Sequence, residues 1–128
     1  MMRKLVGPIL VASDGNGDPQ SFKLPPIKGG SLAKTFQLWI KITSTSNSPE
    51  LRVELQHGPQ VGWYDSLANP LFTYTAVSEG SVLEGAVGAA GLNSEVLGEV
   101  LQVDLLCQDS STQTATAMIE VYYILRPF

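Results

Sequence analysis

The chain has one cysteine, one histidine, few charges and no long apolar run. Each shortage removes a class of protein. With Cys107 alone, neither an intramolecular disulfide nor a multi-cysteine metal site can form, and the composition points to synthesis in a reducing compartment. Charged residues are 16% of the chain and the net charge is −4. Residues 1–41 carry six basic groups against Asp14 and Asp18, whereas residues 42–128 carry only Arg52 and Arg126 against ten acids. Clustered Lys and Arg of the kind that neutralise phosphates are missing, so nucleic acid is not an expected partner. A basic N-terminal segment suits docking on an acidic protein surface, including a second copy of the chain. No stretch approaches the roughly 18 apolar residues of a membrane helix, so no membrane partner is expected. Arg3-Lys4 and the following LVGPILVA imitate a signal peptide, but Gly7-Pro8 interrupts the run and it lacks a small-x-small site. The expectation is a chain made in the cytoplasm. At 128 residues it fits one domain large enough to bury a core.

What is present is a period of two. TFQLWIKIT places Phe36, Leu38, Ile40 and Ile42 opposite Gln37, Trp39 and Lys41. LRVELQH sets Leu51, Val53, Leu55 and His57 against Arg52, Glu54 and Gln56. VLQVDLLCQ and TATAMIEVYYIL alternate likewise, the latter with Ile119, Val121 and Tyr123 on one side and Glu120, Tyr122 and Ile124 on the other. Side chains of a strand alternate faces, so these runs predict half-buried antiparallel strands. Shorter strands are expected over 4–12, 20–24, 63–67 and 71–77, separated by turn clusters such as Ser13–Pro19, Pro25-Pro26 and Ser44–Pro49. The expected fold class is all-β: a single-domain antiparallel β-sandwich, jelly-roll-like, with an extended N-terminal arm. Residues 1–30 are assigned to the arm and a first hairpin, and residues 31–128 to the sandwich body. Residues 79–98, rich in Gly and Ala, read as a long loop with room for a short helix near Asn93–Gly98.

The candidate sites are few. His57 with Asp65 and Ser66 imitates a triad, but YDSLA lacks the glycines of a nucleophile elbow, and triads converge from distant segments. LRVELQHGPQVGWYD reads instead as a strand, a turn over Gly58–Gly62, and a returning strand begun by Trp63-Tyr64, with Trp63 on the core. DGNGD, residues 14–18, offers calcium-like spacing but has prolines where an EF-hand needs Gly and Glu, and reads as a tight turn. GAVGAAG, residues 85–91, is neither a dinucleotide nor a phosphate loop. No paired carboxylates, metal-ligand cluster or cofactor fingerprint emerges. The expectation is therefore no catalytic residue, no cofactor, no metal and no enzyme. Trp39 faces away from the Phe36/Leu38/Ile40 stripe, toward either a second buried face or another subunit.

IKITSTSNSPELRVELQHGPQVGWYDS resembles a pattern of small structural proteins of tailed bacteriophages. A strand and a Ser/Thr/Asn/Pro turn lead there to a strand-turn-strand unit, carried here by Ile40, Val53, Leu55, His57, Gly58, Pro59 and Trp63, and on to Phe72 and Thr73. Gln60-Val61-Gly62 stands where that pattern usually has Asp-Gly. A closing strand follows the turn Ser110–Thr116, so the resemblance spans roughly residues 36–125. It implies a capsid decoration, or cement, protein on the capsid surface of a virion, binding the major capsid protein or another virion protein as a homo-oligomer, most simply a trimer. The arm residues Arg3, Lys4, Leu5 and Ile9 would engage a neighbour's sheet edge, and Trp39, Tyr122 or Tyr123 would form the intersubunit surface. The alternative is a carbohydrate- or peptide-binding β-sandwich module that uses its exposed aromatics, Trp39 and Trp63 among them, and the 79–98 loop.

Overall fold

The computed structural model describes residues 1–88, 97–110 and 113–127. Their strands are β1 (Arg3–Ala12), β2 (Gln20–Lys23), β3 (Ile27–Lys28), β4 (Ala33–Ser46), β5 (Glu50–Gly58), β6 (Asp65–Tyr74), β7 (Val82–Gly88), β8 (Val100–Gln108) and β9 (Thr116–Pro127). A 3-10 turn at Gly30–Leu32 separates β3 from β4. The strands form two antiparallel sheets, ordered β1-β9-β4-β7 and β2-β8-β5-β6, with β3 also on β8. The molecule is a β-sandwich.

The alternation of the sequence is the alternation of burial. Phe36, Leu38, Ile40 and Ile42 of β4 are fully buried, as are Ile119 and Val121 of β9. From the other sheet Leu51, Val53 and Leu55 of β5 and Leu101, Val103, Leu105 and Cys107 of β8 meet them with no exposure. Each sheet gives the core one apolar face and turns its polar residues outward, as a two-layer sandwich requires. Burial, with Asp109 nearby, pushes the Cys107 thiol up to about 11.

Connections mostly cross between layers. β4 is followed by β5 in the opposite sheet, β6 by β7 back in the first, and β8 and β9 alternate again. β5 and β6 form the hairpin that LRVELQHGPQVGWYD predicts. The sequence divides residues 63–67 and 71–77 into two strands, but one strand, β6, runs through Asn69-Pro70 with shifted register against β5. β6 lies at a sheet edge, where a proline's missing N–H leaves no ladder bond broken. Pro8 is tolerated in β1 for the same reason. The expected 79–98 loop contains β7, paired with β4 from Thr35↔Gly88 to Lys41↔Val82. Its Gly85 is fixed by a close approach: a Cβ there would lie 2.5 Å from Phe72 Cδ1, where β6 covers the flank of β7. The short helix expected near Asn93–Gly98 falls mainly on residues 89–96, outside the described residues.

The N-terminus is extended, as expected, but it pairs with its own chain. β1 runs antiparallel to β9 from Arg3↔Tyr123 to Ala12↔Thr116, with bulges around Gly7-Pro8. Leu5 and Ile9, partly buried, pack on the core and Val11 is fully buried, so these side chains are engaged within the chain's own sandwich. The first hairpin assigned to residues 1–30 is not formed, because β1 and β2 belong to different sheets. The turn between them is anchored from across the molecule. The buried Asp109 carboxylate accepts the N–H groups of Gly15 (2.7 Å) and Gly17 (3.0 Å), while Asp14 accepts from Asn16 (2.8 Å). The N–H groups of DGNGD therefore wrap a carboxylate of the chain itself.

Three outcomes follow from this packing. Val11→Ala removes two buried methyl carbons and should lower unfolding free energy by about 2 kcal/mol. Leu10→Ala, at a side chain 57% exposed, should change it by less than about 0.5 kcal/mol, and urea midpoints measure both. Cys107, fully buried and with its thiol pKa pushed up to about 11, should resist a disulfide-exchange reagent at about pH 8 until denaturant is added.

Candidate functional site

The site grows from the end of the β5–β6 hairpin. His57 closes the core-facing row of β5, in register with Leu101 of β8 and Asp65 of β6. The alternation stops there, because the chain turns through Pro59–Gly62 and closes with the Trp63 N–H on the Gln60 carbonyl (3.1 Å). Gly62 takes φ 88°, a left-handed value that favours glycine. Trp63 thus belongs to the turn and precedes the returning strand, which starts at Asp65. Its side chain is 66% exposed, which corrects the expectation that it packs on the core.

Backbone contact holds the segment 97–99 beside this turn. A Cβ on Gly98 would stand 2.8 Å from the Gly58 nitrogen, and one on Gly58 would overlap the Trp63 carbonyl oxygen. No side chain fits between these main chains. The Gly98 N–H then donates to His57 Nδ1 at 2.9 Å. A nitrogen that accepts cannot also carry the proton, so the neutral ring holds its hydrogen on Nε2. Glu99 secures the other side: its carbonyl accepts from Gly29 (2.9 Å) and Gly30 (3.0 Å), and its carboxylate from the Ser31 hydroxyl and the Gly29 N–H.

Between turn and segment lies an open groove of about 620 Å³, lined by His57, Trp63, Tyr64, Asp65, Leu97 and Glu99 among others. Leu97, 3% exposed, supplies an apolar floor. Several polar groups here have no partner among the described residues: the buried Tyr64 hydroxyl, the Trp63 indole N–H, His57 Nε2 and the Asp65 carboxylate. Buried or half-buried polar groups ordinarily find partners within the fold. The Tyr64 hydroxyl is closed off from solvent, whereas the N–H groups of the exposed Trp63 and half-buried His57 and the carboxylate of the exposed Asp65 stand open around an apolar platform.

The triad imitated by the sequence is not assembled. His57 Nδ1, which an orienting carboxylate would need, is taken by the Gly98 N–H, although Asp65 is the cross-strand neighbour. The predicted subunit surface divides. Trp39 and Tyr122 are register partners on the outer face of their sheet, with the Trp39 indole N–H donating to Glu84 (3.1 Å). Lys4 joins them, its Nζ 3.0 Å from the Glu120 carboxylate and 6.0 Å from the Tyr122 ring centre. The Lys4 hydrogen bond holds the Glu120 carboxyl below its ordinary range. Tyr123 is on the opposite face, tilted against Phe36 with ring centres 6.2 Å apart, because consecutive strand residues point oppositely. Arg3 lies across from Tyr123 at the sheet edge. GAVGAAG divides too: Gly85–Gly88 belong to β7, and the remainder lies outside the described residues.

No protein-family model matches the chain, and no curated protein does. Solved structures of similar fold include TmCBM61 in complex with β-1,4-galactotriose, at 10% identity over 91% of this chain and 69% of that one, TM-score 0.46. Another is the CBM36-1 domain of a multidomain xylanase from the hindgut metagenome of Trinervitermes trinervoides, at 14% identity over 100% of this chain and 98% of that one, TM-score 0.48. These are distant likenesses, and the function must be read from the groove. The expectation of a capsid decoration protein is corrected: the folds named are carbohydrate-binding modules, not virion proteins. The arm that would reach a capsid neighbour is β1 of the chain's own sheet.

Local sequence pattern does not disclose Glu99 or Leu97 as groove residues. They lie roughly 40 residues downstream of the turn and join it through the β5–β8 pairing, the Gly98–His57 hydrogen bond and the Gly58–Gly98 contact. The usable signal is the Gly-Pro after His57, which ends the strand phase and frees Trp63 from it. His57→Ala removes the acceptor for the Gly98 N–H and should cost about 1 kcal/mol, with faster amide exchange at Gly98. His57→Asn, which restores an acceptor oxygen, should recover most of that protection.

Proposed function

We propose that this chain is a non-catalytic carbohydrate-binding module that seats a saccharide in the groove beside Trp63. One observation carries the reading: an exposed indole stands in a groove of about 620 Å³ where its own N–H, His57 Nε2 and the Asp65 carboxylate are left open by the described residues. A pyranose ring is apolar on its C–H faces and carries hydroxyls that both donate and accept. The Trp63 face suits the first property. His57 Nε2–H, the Trp63 indole N–H and the Asp65 carboxylate suit the second, supplying donors and an acceptor at fixed places. The volume falls among those of small-molecule sites, roughly 300–1,000 Å³.

A binding role fits the carboxylates better than hydrolysis does. Cleavage of a glycosidic bond uses two carboxyl groups flanking it, one as acid and one as base or nucleophile. Asp65 stands open, but the Glu99 carboxylate is engaged by Ser31 and Gly29. A sugar seated here is held rather than attacked.

On a glycan array followed by calorimetry, the wild-type chain should bind at least one saccharide, and Trp63→Ala should weaken that binding at least about tenfold. Trp39→Ala, on the outer face of the other sheet, should leave it unchanged. Full binding by the Trp63 variant would remove the groove from consideration.

A further inference from the structure

Resting on the saccharide reading, we infer that the groove selects uncharged glycans, and that Asp65, with Glu99 behind it, excludes those bearing uronate or sulfate. Asp65 and Glu99 line the groove, and no lysine or arginine does so among the described residues. His57 turns Nδ1 to the Gly98 N–H and away from the two carboxylates. The nearby cation Lys28 lines an adjoining hollow of about 420 Å³ with Pro59, Gln60, Val61 and Glu99, so it borders the approach on one side only.

The two carboxylates differ in what they can do. Glu99 spends its oxygens on Ser31 and Gly29 and contributes a fixed negative field. The Asp65 carboxylate has no ion-pair or hydrogen-bond partner among the described residues, so its charge faces any ligand directly. It accepts readily from a sugar hydroxyl and repels a sugar carboxylate. Like charges about 4 Å apart repel even in water-like surroundings, and more strongly where solvent is displaced, so about tenfold discrimination is expected. The rest of the chain reinforces the sign, since ten acids lie in residues 42–128 against Arg52 and Arg126.

The test is an array of neutral, uronate-bearing and sulfated glycans, probed with the wild-type chain and with Asp65→Asn, which keeps an acceptor oxygen and loses the charge. Where a neutral ligand has an acidic counterpart, for instance a methyl-esterified oligogalacturonate and its free acid, calorimetry compares the pair. The expected result is wild-type binding at least about tenfold weaker for the acid form, a gap that narrows in Asp65→Asn and in about 0.5 M salt. Wild-type binding of acidic glycans as tight as of neutral ones overturns the inference and leaves the saccharide reading standing. So does a gap that neither the substitution nor salt reduces. Absence of signal on every class overturns the saccharide reading itself.

Discussion

The pairing of β4 with β9 is the constraint on which the other elements depend. It runs from Ala33↔Pro127 to Ser46↔Thr116 and places two fully apolar rows, Phe36/Leu38/Ile40/Ile42 and Ile119/Val121, side by side. That combined face is too large to leave in water. The second sheet must cover it, and β5 and β8 do so with apolar rows of their own that have no exposure. A slip of one residue anywhere in the pairing would turn every buried side chain outward, so the register of the whole sandwich is tied to this ladder.

The ladder leaves β9 with one open side, and β1 fills it. This accounts for the fate of the N-terminal segment. An extended chain with Leu5, Ile9 and Val11 in it can augment any open edge, and the edge nearest in the fold belongs to the same molecule. Intramolecular pairing needs no second body to be immobilised. The two charged residues expected to dock elsewhere, Arg3 and Lys4, end as edge groups, with Lys4 on Glu120.

The groove follows a different logic. It lies where strand alternation ends, built from a turn and a segment drawn together by main-chain contacts at Gly58 and Gly98. A site of this kind is positioned by rigid strands yet is free of their in-out alternation. Trp63 can therefore present its ring to solvent while Leu55, a few residues before it in the chain, is fully buried. The outer-face pair Trp39 and Tyr122 is more nearly satisfied, since the Trp39 indole N–H is held by Glu84. Unsatisfied polar groups, not aromatic content alone, distinguish the groove from that face.

The sequence by itself determined the strand phases. It set apart Phe36, Leu38, Ile40 and Ile42 as core, placed Tyr122 and Tyr123 on opposite faces, and marked the hairpin after His57, because alternation is a local property of extended backbone. Local pattern could not choose partners. That β1 would lie on β9, that the glycine-rich stretch from Val82 to Gly88 would pair with β4, or that Gly98 would reach His57 depends on residues far apart in the chain. The tertiary structure alone decided that Trp63 is exposed and that Tyr64, Asp65, Leu97 and Glu99 converge beside it. The reason is that a groove is made of distances between segments, and those are set by which sheet edges and glycines meet once the core has closed.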